Sequence, residues 1–232
     1  MPSSPCSIPK RTARYTTIRH TVRMSGGGTE NHDEARRRPG RPRSFNREAT
    51  IDAAIACYWR EGPDGISLNE VCREVKVSKP GIYREFGGED GLLAAVIDRY
   101  REQAVQPLLD LLASDLAFDE VLQTVLAAQT AERDTPMGCL IAEARLGRQP
   151  RGPLTAERIE VVREEMRTAY EARYERALAD GQANEGLEPA LAASYLDAQF
   201  VMLLMRLHRG DDPEMVRRHA WLAMQVLLAP NR

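Results

Sequence analysis

An all-α protein of about nine helices is what this sequence predicts, with a small N-terminal helical domain followed by a larger helical body. Three observations carry that expectation. Apolar residues recur at three- and four-residue spacing in segment after segment, and no stretch alternates as a half-buried strand does. Helix stops and starts punctuate those segments, among them Gly62-Pro63-Asp64-Gly65, Gly87-Gly88, Gly181 and Pro213. With 232 residues, 43% hydrophobic and 28% charged, the chain is also long and apolar enough for an ordinary core.

Residues 1–43 read differently from the rest. They hold Ser, Pro, Gly, Thr and Arg with few large apolar residues, the composition of a disordered basic arm. This arm carries seven net positive charges, so residues 44–232 are acidic at −9 although the whole chain is only −2. An acidic body repels a polyanion at range, which leaves any nucleic-acid affinity to a local patch and to the arm. Met24, followed by Ser-Gly-Gly-Gly, is an alternative start.

A first helix runs from a cap at or near Asn46 to Glu61, with Ile51, Ala54, Ile55, Tyr58 and Trp59 at core spacing. The next stretch, Ile66 to Phe86, is a helix-turn-helix. Ser67 caps its first helix with Glu70 three residues on to reach back, and Ile66 staples to Val71. Leu68, Val71, Cys72 and Val75 form the inner side, and Val75-Lys76-Val77 makes the turn. Ser78 caps the second helix, whose first turn tolerates Pro80 because its missing N–H has no intrahelical partner there. Ile82 and Phe86 share that helix's buried side, and Pro80, Gly81 and Arg84 are expected to point away, flanked by Tyr83 and Glu85. Such a face suits a groove: Gly81 for close approach of the backbone, Arg84 for a bidentate fork to guanine, Tyr83 for a phosphate.

Residues 46–100, from Asn46-Arg47-Glu48-Ala49 through Ser78-Lys79-Pro80-Gly81-Ile82-Tyr83-Arg84-Glu85-Phe86 to Leu92-Leu93, resemble the DNA-binding domain of the tetracycline-repressor (TetR) family. That resemblance implies a dimeric, ligand-responsive transcription factor, usually a repressor. It divides the chain into an arm, 1–43, a helix-turn-helix domain, 44–88, and an effector-binding and dimerisation body, 89–232. It implies double-stranded operator DNA as partner, with Ser67, Ser78, Lys79, Pro80, Gly81, Tyr83 and Arg84 at the interface. Two positions depart from the family. Lys76 stands where a glycine is frequent, so a left-handed backbone there costs about 1 kcal/mol. Glu89 stands where a phosphate-holding lysine is common, although an acid suits the start of a helix. In the arm, Arg36 to Arg43 resembles an AT-hook core, with Arg41 and Arg43 suited to a narrow A·T minor groove; the alternative is a solvated basic linker.

A fourth helix starts near Glu89 and buries Leu92, Leu93, Val96, Ile97 and Tyr100, with Pro107 expected to kink or end it. Further helices are expected over Phe118 to about Arg133, Met137 to Leu146, Thr155 to Ala179, Ala190 to Leu207 and Pro213 to Leu228. The Ala190 segment is apolar nearly all round and needs cover on every side, which points to a homodimer built from the last two helices. In the family the effector lies between the fourth helix and the two long ones, which suggests Tyr170, Tyr174, Gln199, Met202, Arg206 and Trp221 as lining.

Pro136-Met137-Gly138-Cys139-Leu140 resembles an element of a family branch in which the cysteine senses oxidants. Arg133 and Arg145 would then lower its thiol; a buried inert cysteine is the alternative. Cys6, Cys57, Cys72 and Cys139 have no Cys-x-x-Cys pairing, and no histidines stand at metal spacing, so neither a zinc site nor any other cofactor is expected. No catalytic constellation is present. An effector-independent architectural DNA protein and an enzyme using the body's pocket are the other classes compatible with the chain. The longest apolar run, Phe200 to Met205, falls far short of the ~20 residues of a membrane span, and residues 1–23 lack the apolar stretch of a secretory signal, so a cytoplasmic protein is expected.

Overall fold

The computed structural model describes residues 45–132 and 136–230. The arm with Arg41 and Arg43, as well as Arg133, lies outside the described residues. The helices are α1 (Arg47–Glu61), α2 (Leu68–Glu74), α3 (Lys79–Phe86), α4 (Glu89–Tyr100), α5 (Gln106–Leu112), α6 (Phe118–Thr130), α7 (Leu140–Leu146), α8 (Pro153–Ala179), α9 (Pro189–His208) and α10 (Pro213–Met224). A π turn, Arg101–Val105, makes α4 and α5 one continuous rod, so the described residues form nine rods. The β pairing among them is a single bridge, Ala183 to Leu228, that ties the chain end to the α8–α9 link.

Pro107 neither ends nor sharply breaks the fourth rod. Its ring lacks an N–H and crowds the carbonyl four residues back. The chain answers by widening: Gln106 N–H bonds the Arg101 carbonyl five residues behind, and helix resumes through Pro107. The short α7 starts at Leu140 rather than Met137, because Gly138 takes a φ of 106° and places Cys139 in extended backbone as the N-cap.

Two apolar clusters hold the fold. One joins Ile51, Tyr58, Val71, Ile82 and Phe86 of α1–α3 to Leu92, Val96 and Ile97 of α4, and continues into Leu140 and Ile141 of α7 and Ile159 and Val162 of α8. The helix-turn-helix is therefore seated on the near end of the body by a shared core. The second gathers Phe118, Leu122 and Leu126 of α6, Tyr170 and Tyr174 of α8, Leu196, Phe200 and Leu203 of α9, and Ala220 and Met224 of α10. By length and composition α9 is apolar enough to cross a membrane. Here it packs against α7, α8 and α10, burying Ala192, Ala193, Leu196, Phe200, Leu203 and Leu207. Its opposite side is bare: Leu191 is 58% and Met202 60% exposed, and Leu222 on α10 is 69% exposed.

Candidate nucleic-acid interface

The helix-turn-helix is specified by short-range chemistry. Asn46 caps α1, its side chain accepting from Ala49 N–H at 3.0 Å. Ser67 and Glu70 form a reciprocal capping box: Ser67 Oγ accepts Glu70 N–H at 3.3 Å, and Glu70 Oε2 accepts Ser67 N–H at 2.9 Å. Each such cap is worth about 1 kcal/mol. The α2–α3 turn is a Schellman closure, with Val77 N–H on the Cys72 carbonyl at 3.0 Å and Lys76 N–H on the Arg73 carbonyl at 3.3 Å. That closure needs a left-handed residue between them, and Lys76 supplies it at φ 58°. Ser78 then caps α3, its Oγ accepting Gly81 N–H at 3.2 Å.

This geometry presents Ser78, Lys79, Pro80, Tyr83, Arg84 and Glu85 to solvent along one side of α3. Tyr83 is 53% exposed and lies against Gly88, whose φ of 134° folds the α3–α4 link beneath its ring. The Arg84 guanidinium reaches outward, with Nε donating to Glu85 Oε1 at 2.8 Å in the free chain. Ser67 stands exposed at the start of α2. Lys76 is exposed in the turn, and Arg47 at the start of α1 lies 5.0 Å over the Phe86 ring. Partial burial raises the Glu89 carboxyl above its usual range against the lowering influence of Lys79 and Arg151.

Gly81 departs from its expected place. It is buried rather than outward, because the Phe45 ring sits on it: a Cβ at Gly81 would stand 3.1 Å from that ring. Phe45 also meets Phe86 edge to face at 6.1 Å. The glycine makes room for Phe45 and the chain entering α1. Phe45 and Arg47 pack beside α3, against Gly81 and Phe86, and the sequence reading singled out neither for that place; the signal was an aromatic just before the Asn46 cap.

The six residues suggested as effector lining are divided between the second core and other sides of α9 and α10. Tyr170 and Tyr174 are fully buried in the second core, Tyr170 stacked on Phe200 at 5.6 Å and Tyr174 donating to the Asn184 carbonyl at 2.8 Å. Gln199, Met202 and Arg206, spaced three and four apart, occupy a different side of α9 from its buried stripe, and Arg206 pairs with Asp211 at 2.7 Å and meets His219 at 2.8 Å. Trp221 faces a cleft of about 440 Å³ between α6 and α10, with Gln123, Thr124, Leu126, Ala127, Arg217 and Arg218. Inside, the Tyr170 hydroxyl is buried without a hydrogen-bond partner.

Cys139 does not have a lowered thiol. Burial pushes it up, and hydrogen bonds from Ala142 N–H, the Tyr100 hydroxyl and Ile141 N–H do not offset this. Arg145, expected to lower it, is instead 3.7 Å from Asp197. Cys57 and Cys72 are buried in the first core with their thiols raised by burial.

Comparison with known proteins agrees with the geometry. Residues 51–96 match the family described as bacterial regulatory proteins, tetR family. The chain is similar to the HTH-type transcriptional repressors ComR and BdcR of Escherichia coli K12, at 31% identity over 106 residues and 33% over 108. Those stretches cover 44% and 45% of this chain and 50% and 55% of the relatives, so the chain spans about half the length of the curated relatives it matches. Among solved structures, a cysteine mutant of the TetR family regulator CifR complexed with 26 bp operator DNA superposes with a TM-score of 0.71 at 21% identity, covering 81% of this chain and all of that one. E. coli NemR in its reduced form gives 0.66 at 16%, covering 80% and 98%. These two likenesses are of fold. The match over residues 51–96, within α1 to α4, makes the capped helix-turn-helix region similar to the tetR family of bacterial regulatory proteins.

Proposed function

We propose that the protein is a sequence-specific DNA-binding regulator, a repressor that acts as a homodimer in the cytoplasm and leaves its operator when a small molecule binds the body. The observation that carries this reading is the exposed strip of α3, Lys79, Pro80, Tyr83 and Arg84, held by side-chain caps at both motif helices. Ser67 and Ser78 stand exposed at the starts of the two motif helices, where phosphates would lie. Arg41 and Arg43 extend the contact into a flanking minor groove. Support for the dimer is the bare apolar side of α9 and α10, with Leu191, Met202 and Leu222 more than half exposed. A twofold pair would set two recognition helices in successive major grooves about 34 Å apart. Support for an effector is the unpartnered Tyr170 hydroxyl, a buried polar group that a ligand would satisfy.

The test is selection of bound duplexes from random DNA with the full chain, followed by light scattering and by release with a metabolite library. A palindromic site bound by a dimer, and released by one compound, supports the reading. A monomer at micromolar concentration, or binding without sequence preference, sinks it; preference-free binding would make the protein architectural, and turnover of a library compound would make it an enzyme.

A further inference from the structure

The loop between α7 and α8, residues 147–152, and the start of α8 beyond it are held by two carboxylates, Asp64 of the helix-turn-helix domain and Asp90 in the first turn of α4, the helix that joins that domain to the body. Asp64, in the turn between α1 and α2, accepts Arg148 N–H at 2.5 Å and Gln149 N–H at 3.4 Å, and its other oxygen pairs with the Arg151 guanidinium. Arg151 also donates through Nε to the Ala144 carbonyl of α7 at 2.9 Å. Asp90, two residues beyond the Gly88 that links α3 to α4, caps α8 from outside: its carboxylate accepts Leu154 N–H and Thr155 N–H, both at 3.0 Å. The buried Thr155 returns a hydroxyl to the Asp90 carbonyl at 3.1 Å.

The loop is shaped for this grip. A Cβ on Gly147 would come within 2.6 Å of Asp64 Oδ2, and one on Gly152 would overlap the Asp90 carboxylate. Gly152 is the N-cap of α8 and has no side chain to cap with, so Asp90 does that work across 64 residues of sequence. One aspartate precedes α2 and the other follows α3, so the two sets of bonds bracket the motif and resist its rotation on the shared core. Ionised acceptors bonding backbone N–H groups are among the stronger hydrogen bonds.

We propose that Asp64 and Asp90 are positioning residues that fix the angle of the helix-turn-helix on the body, and thereby make a dimer discriminate operators by the spacing of their half-sites. This rests on the dimeric DNA-binding function proposed above. One inserted base pair moves the half-sites apart by about 3.4 Å and turns them by a tenth of a helical turn, which a rigidly held pair of heads cannot follow.

The experiment uses the full chain with selected half-sites at the native spacing and with one or two base pairs added or removed. The wild type should lose affinity about tenfold or more at two base pairs, a cost of the size of one altered base pair in a site. Asp64→Ala and Asp90→Asn together should reduce that loss to under threefold, with affinity for an isolated half-site and dimerisation unchanged. Asp64→Asn, which keeps an acceptor, should lie between. Undiminished spacing discrimination in the double variant overturns the proposal, as does an equal loss on the isolated half-site, which would mean the aspartates only hold up the fold. Distances between spin labels at residue 73 of the two protomers, narrow in wild type and broad in the variants, test the same grip without DNA. A wild type that selects no operator would therefore refute the functional reading while the label distances still decide the grip.

Discussion

Replacing Lys76 by glycine should stabilise the protein, and the size of the effect follows from one dihedral angle. Lys76 holds φ 58° because the Schellman closure of α2 requires a left-handed residue between the Arg73 and Cys72 carbonyl bonds. An L-residue there costs about 1–2 kcal/mol, which glycine avoids. Glycine also loses about 0.4–1 kcal/mol more backbone entropy on folding, so the mid-range net gain is about 0.8 kcal/mol. For a chain of this length that is a rise in Tm of about 1–4 °C. The Lys76 side chain is exposed, so packing hardly enters. Thermal melts followed by circular dichroism should rank Lys76→Gly above Lys76→Asn, and Lys76→Asn above both wild type and Lys76→Ala, which share the steric penalty. Both Gly and Ala variants lose the same positive charge, so their DNA affinities should fall equally whatever their stabilities. A Gly variant no more stable than the Ala variant would refute the argument from strain.

Arg84→Ala should cost about 1–3 kcal/mol on the selected operator and relax preference at one base pair, read by competition with single-base variants; an equal loss on random DNA would make Arg84 a phosphate contact. Cys139 should react with an aromatic disulfide reagent at pH 7.5 more slowly than a free cysteine, because burial raises its thiol; a rate above that of free cysteine would show a thiolate that the folded structure does not provide. Burial alone would raise the Asp90 carboxyl, yet its bonds to Thr155 and Leu154 hold it below the usual range. The native state thus binds fewer protons than the unfolded chain, so Asp90 contributes stability that is present above about pH 4 and lost as pH falls through its folded value. Asp90→Asn should flatten that acid limb in melts from pH 3 to 6, and an unchanged limb would refute the assignment.

What the amino-acid order determined unaided is everything whose partners lie within a helical turn. Ser67 and Glu70, Ser78 and Gly81, and Asn46 and Ala49 are three residues apart, so their caps are forced wherever the helix forms. The family resemblance marked Lys76 as standing at a frequent glycine position, and the fold then set it at φ 58°; periodicity placed Pro80 and Arg84 outward with Tyr83 on their flank, since it assigns residues to sides of a helix. Periodicity says nothing about what packs on those sides. Gly81 was placed on the DNA side, but Phe45 came from outside the motif to cover it. The helices of the body were foreseen within a few residues, yet no lining could be assembled from Tyr170, Gln199, Met202, Arg206 and Trp221, because a cavity depends on how helices cross. Asp64 and Asp90 look like turn and first-turn acids in the sequence. Only folding brings them to the loop at 147–152 and the start of α8, 64 or more residues from them in sequence, where hydrogen bonds to backbone N–H leave no side-chain pattern to read.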